Sequence, residues 1–209
     1  MTLGEITELV LDVVQDDSFE DSIPAYANSC LDFITQRYEL DSLNSSDLVT
    51  TDPSSNHVPL PSNYMKGLYW AQSEGNLIGT PYYYHDFKRF LRRNQGRQET
   101  GSLSDICVVG KDLHYTKRCA ADIEIHFFEK PTYMSGTMDE PVCIPAHLHE
   151  PLFVNYIAWK VYDLIEDGIE DPKTNTQHYQ KLFISFLPDI ELFETQTDQP
   201  EFVQDEWSP

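Results

Sequence analysis

His147-x-His149-Glu150 is the densest group of ligand-type side chains in the chain, and metal binding is the chemistry it would do. On a helix, however, residues two apart diverge by about 200°, and Pro151 follows at once, so the i, i+4 geometry of a zinc helix is missing. These histidines are expected to pack or to face solvent. Cys30, Cys107, Cys119 and Cys143 are widely spread, form no C-x-x-C pair, and read as reduced thiols of an intracellular protein. A glycine-rich phosphate loop, a nucleophile elbow and a local cysteine signature are all missing. Asp and Glu together number 35, so a carboxylate pair could arise anywhere and would say nothing specific about glycoside hydrolysis. The sequence therefore points to no catalytic residue, no cofactor, no metal and no enzyme.

Charge is more informative. Against those 35 acids stand 14 Lys and Arg, a formal net charge of −21. This disfavours wrapping nucleic acid by phosphate neutralisation, and favours repelling DNA or binding a basic partner. No Lys or Arg precedes Arg37 and none follows Lys181. Between the acidic ends lies a basic knot, Lys88, Arg89, Arg92, Arg93 and Arg97, expected to contact either a neighbouring subunit or phosphate. The Tyr82-Tyr83-Tyr84 group reads as packing rather than a base-stacking platform.

These groups need elements to hold them. Thr2-Leu3-Gly4-Glu5 fits a capping box, and Ile6, Leu9, Val10, Val13 and Val14 follow at helical spacing. Residues 1–14 have no basic leader region, and their apolar run is interrupted by Glu5, Glu8 and Asp12, which fits neither a signal peptide nor a membrane span. Pro24 suits the first turn of a second helix with Tyr26, Ala27, Cys30, Leu31, Ile34 and Tyr38 inward. Residues 40–61 read as a loop-rich excursion, with 48–50 as a short edge strand. A short basic helix is expected near 85–94. Gly110-Lys111 between apolar runs signals a type II′ hairpin. The alternating strand over 121–129 is expected to pair with that hairpin. After a polar crossing, a long helix should run from Pro145 to about Gly168, and another from Thr176 to Leu187, stopped by Pro188.

The expected class is α+β: an antiparallel helical bundle, an inserted small antiparallel sheet or hairpin, and an extended C-terminal arm. Its expected parts are a helix pair over 1–39, an insert over 40–143, a second helix pair over 144–188 and an acidic arm over 189–209. Ordering about fifteen arm residues costs roughly 15 to 30 kcal/mol of backbone entropy. Burying Phe202 and Trp207 returns only about 8 to 12 kcal/mol. The arm, with Phe193, Phe202, Val203 and Trp207, is thus expected to order against a partner.

Phe127-Phe128-Glu129-Lys130-Pro131, a polar crossing, then residues 144–152 and Tyr156-Ile157-Ala158-Trp159-Lys160 resemble the C-terminal half of tailed-bacteriophage head-to-tail adaptor proteins. Asn28 in the second helix and Leu60-Pro61 also sit where that family places them. In order of elements the resemblance spans most of residues 1–187. It implies a virion structural protein, made in the host cytoplasm, at the head-tail junction. It further implies a homo-oligomeric ring, commonly a dodecamer, with the portal protein and a tail or second connector protein as partners. DNA would pass through without sequence-specific binding, and no membrane is involved. Some accessory factors of this kind hydrolyse peptidoglycan, but no residue here carries that property over. The rival reading from charge is an acidic DNA mimic that inhibits a basic DNA-handling protein.

Overall fold

The Thr2 hydroxyl accepts from the Glu5 N–H at 3.3 Å, and the Glu5 carboxylate accepts from the Thr2 N–H at 2.8 Å. This capping box opens helix α1, Leu3–Val14, whose buried Leu3, Ile6, Val10 and Val14 step by three and four. The computed structural model describes residues 1–73, 82–94, 100–101, 103–167 and 173–197. It is a mixed α+β fold in two compact units, one made of Met1–Ser42 with Pro131–Pro209, the other of Leu43–Lys130.

In the first unit a 3₁₀ turn, Asp17–Ser22, leads into α2, Ile23–Arg37, with Pro24 in its first turn and Ala27, Cys30, Leu31 and Ile34 buried. Within the second unit the chain forms β1 (Asn44–Thr50), β2 (His57–Pro59), β3 (Tyr64–Ser73), β4 (Tyr82–Tyr84), α3 (Phe87–Arg93), β5 (Asp105–Val109), β6 (Asp112–Tyr115) and β7 (Asp122–Glu129). The chain then completes the first unit with α4 (Asn155–Ile165) and α5 (Thr174–Thr197). Among the described residues no helix is long and apolar enough to cross a membrane.

Helix α4 packs against α1, α2 and α5. Its Tyr162 hydroxyl donates to the Val13 carbonyl at 3.0 Å, one of the carbonyls that α1 leaves without an intrahelical partner. Phe33, Tyr156, Trp159 and Phe183 form an aromatic knot with centroid separations of 5.1 to 6.2 Å. The run expected as one helix from Pro145 is instead a 3₁₀ turn, Ala146–Leu148, a π turn, Glu150–Val154, and then α4. Pro151 has no N–H to donate and its ring crowds the preceding turn, which favours widening there.

Pro188 does not end the last helix, as its position predicts; α5 runs through it to Thr197. An interior proline costs about 3 kcal/mol, but Ile190, two residues beyond, is fully buried and offsets that cost. Among the described side chains of α5, Thr176, Phe183 and Ile190 are the buried ones and stand seven apart, a stripe that continues only if the helix does.

The second unit holds two sheets, ordered β1-β7-β3 and β2-β6-β5-β4. The first is antiparallel throughout; in the second, β4 runs parallel to β5. The β5–β6 hairpin forms as expected around Gly110-Lys111, with Gly110 at φ 63° and no positive φ at Lys111. Two sequence expectations differ from the structure. Strand β7 lies between β1 and β3 rather than beside the hairpin, and 40–61 contains β1 and β2 instead of one short strand. Strand β1 is polar because it is an edge strand with one exposed face, so its sequence lacks the apolar alternation that betrays a strand. The inward faces share one core, Val49, Ala71, Ile123, Ile125 and Phe127 from the first sheet with Ile106, Leu113 and Tyr115 from the second.

Candidate interaction surfaces

The ligand-like histidines separate in space. His147 and Glu150 are exposed, whereas His149 is buried. The His149 Nε2–H donates to the Ile144 carbonyl at 2.7 Å and Nδ1 faces the Met1 ammonium at 3.0 Å, which fixes a neutral ring. Burial accordingly holds its pKa below the ordinary value. Among the described residues no group of three or more His, Cys, Asp or Glu could hold a metal ion. None of the four cysteines is in a disulfide. Burial raises the Cys30 thiol well above its usual range and that of Cys143 to about 11, so neither is a thiolate nucleophile at neutral pH.

The basic knot is organised by α3. Asp86 caps it, its carboxylate accepting from the Lys88 N–H at 2.8 Å. Phe90 is fully buried and anchors the helix, with Tyr84 at 5.9 Å and Phe87 at 6.0 Å; Phe87 in turn lies 5.0 Å from His114. Tyr84 pairs with Cys107 and Cys107 with His114, so these side chains share the face of the second sheet that points away from the core. Helix α3 therefore covers that outer face and turns Lys88, Arg89, Arg92 and Arg93 to solvent, with Leu91 exposed among them. Arg89 stands 3.9 Å from Asp86 in a pair whose Arg side chain is 80% exposed, a weak contact. Among the described residues Lys88, Arg92 and Arg93 have no carboxylate partner. Arg97 lies outside the described residues.

A second surface, on the outer face of β1-β7-β3, was not predicted from the sequence. Its register places Glu124 opposite Leu48 and Gln72, and His126 opposite Ser46 and Trp70. Between Lys66 and Trp70 the β3 register shifts, leaving Gly67, Leu68 and Tyr69 against Phe127 alone. Gly67 has φ 62°, and a Cβ there would meet the Phe128 ring at 2.9 Å, so the bulge needs glycine. Leu68 turns into the core. The bulge thereby brings consecutive Tyr69 and Trp70 to one face: the Tyr69 ring lies 5.4 Å from Phe128 and 6.0 Å from His126, and Trp70 packs edge-on to His126 at 4.6 Å. Leu48, Tyr69 and Trp70 are 49%, 50% and 36% exposed. The sequence signal for this was the glycine inside an aromatic strand.

Of the arm residues, the Phe193 backbone is the continuation of α5, while its side chain lies outside what is described. Phe202, Val203 and Trp207 also lie outside the described residues. The structure therefore brings Lys88, Arg89, Arg92 and Arg93 together on one helix and leaves the arm untested.

No curated protein matches the chain. A family model described as SU10 adaptor protein matches residues 1–204, a span that includes the second unit, all but the last five residues of the first, and the strand, crossing and helix whose residues resemble phage adaptors. With that span matched, the chain belongs to the SU10 adaptor protein family, a phage head-to-tail adaptor family.

Proposed function

We propose that this phage adaptor protein forms a homo-oligomeric ring, a dodecamer by the family resemblance, between portal and tail. The helices of the first unit act as a bundle around the ring, and the arm beyond Thr197, with Phe202, Val203 and Trp207, clasps the portal. Carboxylates facing the lumen repel DNA phosphates and let the genome slide; screening confines that effect to about 8 Å at physiological salt. A net charge of −21 supports the last point. The observation that carries the reading is the family match over residues 1–204, which supports an adaptor and a structural rather than enzymatic role.

Electron microscopy of the protein mixed with the portal encoded beside it tests the proposal. A ring seated on the portal, with the C-terminal residues in portal density, is expected. A chain that stays monomeric in the presence of the portal would sink it.

A further inference from the structure

The unit Leu43–Lys130 carries two exposed surfaces of opposite character. On the outer face of the second sheet, α3 holds four basic residues within seven positions, together with exposed Leu91. On the outer face of the first sheet lie the Tyr69 and Trp70 rings, exposed Leu48, and the Glu124 carboxylate, 45% exposed beside His126 at 3.3 Å. Because both sheets turn their other faces to one shared core, the two surfaces sit on opposite sides of it.

We propose that the aromatic and acidic face of β1-β7-β3 is the seat for helix α3 of a neighbouring copy of this chain. The inference rests on the ring reading above and names the surfaces that would close it. Three observations select this occupant. Two copies of a chain with 35 acids and 14 bases repel over most of their surface, so attraction is available only where a basic group meets an acidic one. Helix α3 supplies such a group, with Lys88, Arg92 and Arg93 unpaired among the described residues.

The chemistry also matches. A guanidinium stacks on indole and phenol rings while hydrogen-bonding a flanking carboxylate, and Tyr69, Trp70 and Glu124 offer both on one face. Leu91 meets exposed Leu48 as the apolar part of the contact. Finally, complementary surfaces on opposite sides of one unit make a head-to-tail contact, the kind that generates closed rings when the rotation per copy allows it. A self-complementary patch would stop at a dimer.

The test places a photo-cross-linker in the full chain, Tyr69→benzoylphenylalanine, and mixes isotopically heavy and light copies. Cross-links between heavy and light chains, mapping to 87–93, are expected. Separately, Arg92→Glu with Arg93→Glu should weaken self-association at least about tenfold, as should Trp70→Ala with Glu124→Gln, a neutral change that gives the reversed helix no new partner. Mixing these two variants leaves one intact pair of surfaces, so the mixture should yield a one-to-one dimer that grows no further. Cross-links from position 69 to any other segment, or none at all, overturn the proposal, as does wild-type assembly by the arginine-reversed chain. A chain that cross-links from position 69 to α3 yet, in its wild-type form, never joins the portal would sink the head-tail reading and leave this contact standing. Rings on the portal without that cross-link would do the reverse.

Discussion

The side-chain amide of Asn28 closes a two-bond ring with the backbone of Met134: its Nδ2–H donates to the Met134 carbonyl and its Oδ1 accepts from the Met134 N–H, both at 2.9 Å. One residue of α2 thus holds a crossing segment 106 positions away as a neighbouring strand would. Nearby, Leu3 and Gly4 donate to the Asp139 and Thr137 carbonyls at 2.8 Å, and the Tyr133 hydroxyl donates to the Asp32 carboxylate at 2.8 Å. The crossing, which has no regular structure of its own, is fixed by α1 and α2, both far upstream of it in sequence.

Asn28→Ala should therefore destabilise the protein by about 3 kcal/mol, because it leaves two backbone groups of a residue that is 2% exposed without partners. Urea unfolding followed by helix signal measures this. A loss below about 0.5 kcal/mol would show that water replaces the amide.

Tyr115→Phe should be milder. The buried Tyr115 hydroxyl accepts from the Asp52 N–H at 2.9 Å and donates to the Asp52 carbonyl at 3.0 Å. Asp52 is itself exposed, so solvent can take over, and a cost near 1 kcal/mol is expected by calorimetry.

Gly67 and Gly110 form a matched pair. Both have positive φ, but an added Cβ meets the Phe128 ring at Gly67 and nothing within 4 Å at Gly110. Gly110→Ala should lose only the backbone term of about 1 to 2 kcal/mol. Gly67→Ala should lose more and also change Trp70 fluorescence as the bulge rearranges. Equal losses would count against the bulge as drawn.

His149 should make stability pH-dependent. Burial lowers its folded pKa, so between the folded value and the unfolded value of about 6.5 the unfolded chain binds the extra proton. Stability from this group is full above about pH 6.5 and falls as the pH drops below it. The slope of unfolding free energy against pH in that range should shrink in His149→Gln; an unchanged slope would assign it to other groups.

Truncation separates helix from arm. Ending the chain after Thr197 should leave the unfolding free energy within about 0.5 kcal/mol while abolishing portal attachment. Ending it after Pro188 removes buried Ile190 and should destabilise the helical unit by about 3 kcal/mol. Portal binding that survives the longer truncation would refute the clasp.

Local rules were enough for the capping box of α1, the proline start of α2, the Gly110 hairpin and the basic helix, because each depends on residues within about one turn of one another. The order of residues from Phe127 to Lys160 carries the family resemblance, although neither the place of β7 nor the turns before α4 could be read from it. Tertiary structure alone decided the rest. The pairing of β1 with β7 joins segments more than 70 positions apart, and an exposed edge strand leaves no apolar alternation to read. Pro188 looked like a stop because propensity is local, whereas the burial of Ile190 that carries the helix past it is not. Tyr69 and Trp70 share a face only because a two-residue bulge breaks the period of two from which strand faces are inferred.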